Sequence, residues 1–209
     1  PSSVVQAIGS LMTYGMNLIL AAFGSAQTVF GIYFKLQSFV FMPVFGLNNG
    51  MVPIIAYNYG AGHKDRVIKT IKHSVAYGVG IMFVGLLAMH IFPAQLMRMF
   101  DAEESLIAIG APALETISLS FVFAGFCIVA GSVFQALGNG VYSMIVSVAR
   151  QMCVLLPVAK LLSLSGEVTL IWWAFPIAEL ASVLLTSYFL VRIYRKVICH
   201  IGEPVVQDA

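Results

Sequence analysis

Six long apolar stretches occupy most of this 209-residue sequence. A helix of about 20 mostly apolar residues is long enough to cross the hydrocarbon core of a bilayer. Strands of membrane barrels need only about 10 residues, so runs of this length predict helices. We therefore predict an all-α, polytopic membrane protein with a six-helix transmembrane lobe at residues 1–197 and a cytoplasmic tail at residues 198–209. The six predicted spans are residues 4–23, 28–57, 67–92, 106–137, 141–162 and 168–193.

The composition is typical of a surface that faces lipid. Charged residues make up only 10% of the chain and hydrophobic residues 60%, whereas soluble domains contain about 25% charged residues. A net charge of +2 indicates no nucleic-acid partner. The three cysteines are widely separated and predict no disulfide framework or zinc site. Sequence motifs of metalloproteases, P-loop enzymes and serine hydrolases are missing, so we expect neither an enzyme nor a cofactor.

The charges between the spans predict the orientation of the protein. Four basic residues follow the second span and three end the sixth, whereas the loop after the third span is acidic. The positive-inside rule places the basic segments, and with six spans both ends of the chain, in the cytoplasm. Trp172 and Trp173 are expected to anchor the outer end of the sixth span in the interface. The basic residues are Lys64, Arg66, Lys69, Lys72, Arg192, Arg195 and Lys196.

Ionisable residues within the spans are the first candidates for function. Lys35, Glu115, Arg150 and Glu179 lie there, and each such group costs roughly 2.5–3.5 kcal/mol on insertion scales. These groups usually face a bundle interior or a wet cavity, so Glu115 and Glu179 are candidates for binding a coupling proton or cation. Arg150, like Lys160, is also explained by snorkelling or by a structural pair with a carboxylate. The sequence alone assigns no such pair.

Uncharged polar residues are concentrated in the first two spans and recur after the fourth. A cavity for varied amphipathic cations combines aromatic and methionine surface with a few adaptable polar groups, and the chain has 10 Met and 15 Phe. The substrate-cleft candidates are Gln6, Tyr14, Asn17, Lys35, Gln37, Asn48, Asn49 and Gln135.

Five prolines also fall within the spans. Proline removes a backbone donor and crowds the preceding turn, so each is expected to bend or break its helix. Bent helices fit a moving bundle better than a static anchor. The prolines are Pro43, Pro53, Pro112, Pro157 and Pro176.

Two motifs carry a family resemblance. The run MPVFGLNNGMVPI at residues 42–54 leads into AYNYGAG at residues 56–62, and QALGNG follows at residues 135–140. These segments resemble the signatures that end the second helix and follow the fourth helix of a lobe in the multidrug and toxic compound extrusion (MATE) transporters. Residues 175–179 are similar to the last helix of the second lobe. The matching residues are Pro43, Gly46, Gly50, Pro53, Asn58, Gly60, Gly62, Gly138 and Asn139.

The resemblance implies a twelve-helix transporter of two six-helix lobes, in which this chain corresponds to the second lobe and the N-terminal lobe is missing from it. It also implies exchange of sodium ions or protons for small organic cations or drugs. We expect the substrate in a central cleft between the lobes, lined here by the first, second and fourth spans. Some members carry one acid in the first helix of this lobe and another in the fourth. Here the first span has no acid, and Gly125 and Cys127 lie near the second location. The ion-binding role is therefore not transferred, and the other lobe is an alternative place for the coupling carboxylate.

Two other functions stay open at this point. A lipid-linked saccharide flippase of similar architecture would need a strongly basic cavity, which Lys35 and Arg150 support only thinly. A non-transporting membrane subunit or scaffold, or a half that self-associates, is also compatible with the length. Because residue 1 is Pro1 and not an initiator methionine, we expect a piece of a longer protein or a processed form.

Overall fold

The computed structural model describes residues 2–203 and is all-helical over that range, without a strand. Residues 204–209 of the predicted tail lie outside the described residues, whereas Ile198–His200 form a 3-10 turn. The α-helices are α1 (Ser2–Leu20), α2 (Ala26–Gly60), α3 (Lys64–Ile91), α4 (Pro93–Arg98), α5 (Glu104–Ser118), α6 (Phe121–Ala136), α7 (Gly140–Val148), α8 (Leu156–Ser163), α9 (Val168–Ile171) and α10 (Ala174–Lys196).

These helices form up to six membrane-length units within the described range. Five units are long and apolar enough by themselves to cross a bilayer: Ser3–Phe23, Ala26–Gly60, Lys64–Ile91, Gly140–Ser163 and Val168–His200. The sixth consists of α5 and α6, which meet at an angle of 48°. Counting this bent pair as one span gives the six-helix membrane bundle.

The breaks in the helices do not follow the prolines as predicted. Helix α2 continues through both of its prolines, and α5 continues past Pro112 to Ser118. The fourth unit instead breaks at Leu119 and Ser120, where hydroxyl groups add donors to the last turn of α5. Ser118 Oγ donates to the Glu115 carbonyl at 3.0 Å, and Ser120 Oγ donates to the Ile117 carbonyl at 2.7 Å. Side-chain donors that satisfy freed carbonyls stabilise such a bend without proline.

The other two prolines lie at helix starts. Pro176 is in the first turn of α10, where a backbone donor is not needed. Pro157 follows a π-helical segment, Ala149–Leu155, which joins α7 to α8. Because Pro157 cannot donate to the backbone four residues earlier, the helix widens immediately before it.

Helices α3 and α6 pack closely through glycine. A Cβ atom on Gly78 would lie 2.6 Å from Val129 Cγ2, and one on Gly125 would lie 3.0 Å from the Gly78 carbonyl oxygen. Gly46 and Gly50 have the GxxxG spacing that favours close helix contact, but a Cβ on either meets nothing within 4 Å among the described residues. Gly78 and Gly125 therefore allow the close contact between α3 and α6.

The expected pair of tryptophan anchors is divided by the fold. Trp172 is fully buried in the core, whereas Trp173 is 46% exposed. The prediction of an interfacial anchor is therefore wrong for Trp172, because the turn between α9 and α10 directs it inward. Trp173 keeps the exposure that an interfacial residue needs.

Candidate functional site

A cavity of about 610 Å³ lies inside the bundle. Its wall is formed by α1, α2, α6, α7, the π-helical segment and α10, so residues from five of the six membrane units reach it. We call this space the lobe cavity. Its volume falls within the range of about 300–1,000 Å³ that is usual for small-molecule sites. Tyr33, Phe41 and Phe175 supply aromatic surface, and hydroxyl and amide groups supply the polar part.

One ion pair lies in the wall of the lobe cavity. Arg150 Nη1 donates to Glu179 Oε1 at 2.8 Å, and the two side chains are 25% and 10% exposed. The Gln151 amide, oriented to satisfy both of its ends, accepts from Arg150 Nη2 at 2.9 Å and donates to the Ile8 carbonyl at 3.3 Å. The guanidinium group of Arg150 therefore contacts two acceptors, and it links α10 to α1 through Gln151.

The carboxylate of Glu179 is only half satisfied. Its Oε2 atom is buried and accepts no hydrogen bond from any of residues 2–203. A buried carboxylate oxygen without a donor is unfavourable. In a cavity wall, such an atom is available to a proton, a metal cation or a donor group of a bound molecule.

The π-helical segment carries two neighbouring residues of the cavity wall. Arg150 and Gln151 both lie in this segment and both line the lobe cavity. Short π-helical turns are frequent at functional sites because they redirect side chains. Pro157, which favours the widened turn, therefore contributes to the position of the ion pair.

A second polar cluster joins α6 to α10 in the same wall. Ser182 Oγ donates to Cys127 Sγ at 3.4 Å, and Thr186 Oγ1 donates to the same sulfur at 3.7 Å. All three residues are buried and line the cavity. Glu179, Ser182 and Thr186 follow one another at helical spacing, so α10 presents a continuous polar face to the cavity.

The structure brings four of the sequence-predicted site residues into the lobe cavity: Gln6, Gln37, Gln135 and Glu179. The Gln135 amide also donates to Ser143 Oγ at 3.3 Å. The other candidates lie outside the lobe cavity; they are Tyr14, Asn17, Lys35, Asn48, Asn49 and Glu115.

Lys35 and Glu115 lie on exposed surfaces of this lobe. Lys35 is exposed, with its Nζ atom 5.7 Å from the centre of the Phe100 ring. Glu115 is exposed on α5, because Leu114 and Ile117 occupy the buried face of that helix. Glu115 therefore does not face the interior of this lobe, and its role in binding the coupling cation stays a prediction.

Asn17 and Asn48 also lie outside the lobe cavity, and their place in a cleft between lobes stays a prediction. The Asn17 amide donates to the Thr13 carbonyl of its own helix at 3.0 Å, and Asn48 is buried outside the lobe cavity. Tyr14 and Asn49 are exposed on the surface of the bundle.

Several residues of the family motif shape turns in this structure. Gly62 and Gly138 have φ values of 73° and 78°, which glycine adopts without steric cost. The Asn139 amide donates to the Leu137 carbonyl at 3.0 Å within the second of these turns. Gly46, Gly50 and Asn58 line a separate groove between α2 and α3.

The chain matches the MatE family model over residues 1–161. It belongs to the MATE family of transporters. The multidrug export protein MepA of Staphylococcus haemolyticus is 26% identical over 182 residues, which cover 87% of this chain and 40% of that protein. This chain thus spans less than half the length of that relative.

Solved MATE structures show the same fold. The multidrug transporter DinF-BH, solved as a complex, is 33% identical and superposes with a TM-score of 0.80 over 95% of this chain and 44% of its own. The bent form of VcmN from Vibrio cholerae superposes with a TM-score of 0.84 at 18% identity, over 95% of this chain and 44% of its own. The chain therefore has the fold of about half a MATE transporter.

Proposed function

We propose that this chain is the second lobe of a cation-coupled multidrug antiporter of the cytoplasmic membrane, with both ends of the lobe on the cytoplasmic side. The complete transporter exports organic cations or drugs in exchange for sodium ions or protons. Membership of the MATE family supports a role in multidrug transport. The length of the chain, less than half that of the relatives it matches, supports a missing N-terminal lobe.

The observation that carries the proposal is the half-satisfied carboxylate of Glu179 in the lobe cavity. One of its oxygens is held by Arg150, and the other accepts no hydrogen bond within residues 2–203. A sodium ion or proton that binds the second oxygen offsets the unfavourable burial of that atom. Glu179 is therefore the group of this lobe that we assign to the coupling cation.

Arg150 acts as a tethered cation in this scheme. It positions Glu179 when no mobile cation is bound, and Gln151 offers its guanidinium group a second acceptor. Binding of a coupling cation weakens the contact between Arg150 and Glu179, which joins the π-helical segment to α10. A ligand changes a conformational equilibrium only when it binds the conformational states with unequal affinity. In this scheme, the coupling cation binds more tightly to the state in which the contact between Arg150 and Glu179 is weakened.

The flippase alternative fits the lobe cavity less well. A pyrophosphate group requires uncompensated positive charge. Among the described residues that line the lobe cavity, Arg150 is the one permanent cation, and it is paired with Glu179. A scaffold function would leave the buried ion pair and its orphaned oxygen without a role.

The test compares two carboxylates in the full-length transporter. Glu179→Gln removes the acid of the lobe cavity, and Glu115→Gln removes the exposed acid of α5 as the matched control. Cells without other exporters are loaded with a fluorescent cation such as rhodamine 6G, and its gradient-driven efflux is followed. We expect Glu179→Gln to slow efflux by about tenfold, within the range of ordinary coupling energies, and Glu115→Gln to leave it unchanged at equal membrane expression. Wild-type efflux from Glu179→Gln would remove Glu179 from the mechanism.

A further inference from the structure

A second groove, of about 570 Å³, lies between α2 and α3. We call it the basic groove. Within the described part of the chain it shares no lining residue with the lobe cavity, so the two are separate sites. From α2 it is lined by Gly46, Leu47, Gly50, Met51, Ile54 and Asn58.

One end of the basic groove is positively charged. Arg66, Lys69 and His73 line it from the first three turns of α3. Arg66 and Lys69 are exposed and form no ion pair with any carboxylate of residues 2–203. These cations are therefore free to bind an anionic group at the end of the membrane span.

The remainder of the basic groove is open and mostly apolar, although Thr70, Ser74 and Tyr77 also line it. Gly46 and Gly50 have space above them, since a Cβ atom on either would meet none of the described residues within 4 Å. From Asn58 to Gly46 the groove extends along α2 for about 18 Å at a helical rise of about 1.5 Å per residue. One leaflet of the hydrocarbon core is about 15 Å thick, so the groove has the length of an acyl chain that lies in one leaflet.

A buried acceptor without a partner lies at the basic end. Asn58 is 7% exposed, and its amide nitrogen donates to the Ile54 carbonyl at 2.8 Å. Its Oδ1 atom accepts no hydrogen bond from residues 2–203. An occupant with a donor group near its charged end would satisfy this oxygen.

We infer that the basic groove binds an anionic phospholipid whose headgroup carries hydroxyl groups, namely phosphatidylglycerol. One acyl chain lies along Gly46 and Gly50, the phosphate lies near Arg66 and Lys69, and a glycerol hydroxyl donates to Asn58. The positive-inside rule puts this end at the cytoplasmic leaflet, where juxtamembrane basic residues attract anionic lipids. The length of the basic groove, its charged end and the unpaired Oδ1 atom of Asn58 all fit such a lipid.

The first test removes the charges. The full-length transporter is purified in non-ionic detergent and titrated with phosphatidylglycerol or phosphatidylcholine, and bound lipid is counted by native mass spectrometry. Arg66→Gln/Lys69→Gln is expected to weaken phosphatidylglycerol binding about 30-fold, from the usual attraction of two basic residues to an anionic surface. Lys72→Gln is the matched control, because Lys72 is exposed on the same helix but does not line the groove. It should bind as the wild type does.

The second test fills the apolar part. Gly50→Leu places a side chain in the open groove, and Gly80→Leu places the same side chain on an open position of α3 outside it. We expect only Gly50→Leu to lose the phosphatidylglycerol molecule, with both variants eluting as the wild type in size-exclusion chromatography.

Three results of these two tests would overturn the inference. These are equal retention of phosphatidylcholine and phosphatidylglycerol by the wild type, unchanged binding in Arg66→Gln/Lys69→Gln, and retention of phosphatidylglycerol by Gly50→Leu. Cross-linking of Gly50→Cys to the other half of the transporter would show that protein covers the groove, and would equally contradict a lipid site.

Discussion

The ion pair between Arg150 and Glu179 leads to a quantitative prediction about stability. Breaking a fully enclosed pair by removing one partner costs about 3–5 kcal/mol, because the other charge is left buried. Here the arginine side chain is 25% exposed and Gln151 supplies a second acceptor, so we expect a smaller loss. Arg150→Gln and Glu179→Gln should each lower the free energy of unfolding by about 2 kcal/mol.

The double variant separates the interaction from other effects of the two substitutions. In Arg150→Gln/Glu179→Gln no charge remains in the pair, and two neutral amides occupy the same space. We expect this variant to lose about 2 kcal/mol as well, and not about 4 kcal/mol, which corresponds to a coupling energy of about 2 kcal/mol.

The assay is equilibrium unfolding of the full-length transporter in mixed micelles, with increasing sodium dodecyl sulfate and detection by circular dichroism. Lys160→Gln is the control for loss of a basic residue, since Lys160 is exposed in the same span, and Glu115→Gln is the control for loss of an acid. Both controls should change stability by less than about 0.5 kcal/mol. Additive losses in the double variant would refute the direct interaction on which the proposed coupling site depends.

Two further predictions concern packing and orientation. Gly78→Ala should destabilise the protein by about 1–3 kcal/mol, because the added methyl group meets Val129 across the contact of α3 with α6 and overpacking costs this much. Gly80→Ala is the control at an open position and should leave stability unchanged. Equal thermal stability of the two variants would contradict the glycine contact. Ser165→Cys should react with an impermeant maleimide from outside intact cells, whereas Lys72→Cys should react only after permeabilisation. The reason is that the positive-inside rule places the α2–α3 end in the cytoplasm. The reverse labelling pattern would show that the lobe has the opposite orientation.

Much of the fold could be predicted because apolar length is a strong signal in a membrane protein. The helical class and the membrane-length stretches follow from it, and the family motif leads to the same architecture. The internal breaks could not be predicted in this way. The bend at Leu119 depends on hydroxyl donors of neighbouring serines, whereas Pro43 and Pro53 are accommodated within one long helix.

The candidate site was only partly accessible from the sequence. An ionisable residue within an apolar span is a signal that identifies Glu179, but Glu115 gives the same signal. Glu179 is buried, whereas Glu115 is exposed. The partner of Glu179 is Arg150, 29 residues away in another span, and no local pattern joins them. Ser182 and Thr186 were missed, although their spacing from Glu179 on one helical face was a usable signal.

The most direct test of the proposed coupling site measures competition between cation and drug on the purified full-length transporter. Rhodamine 6G binding is followed by fluorescence polarisation while sodium concentration is raised, and in a second series while pH is lowered. If Glu179 binds the coupling cation, one of these two ions should weaken dye binding in the wild type and in Glu115→Gln, and have little effect in Glu179→Gln, because coupling between two ligands is reciprocal. The same displacement of dye in Glu179→Gln as in the wild type would place the coupling site elsewhere.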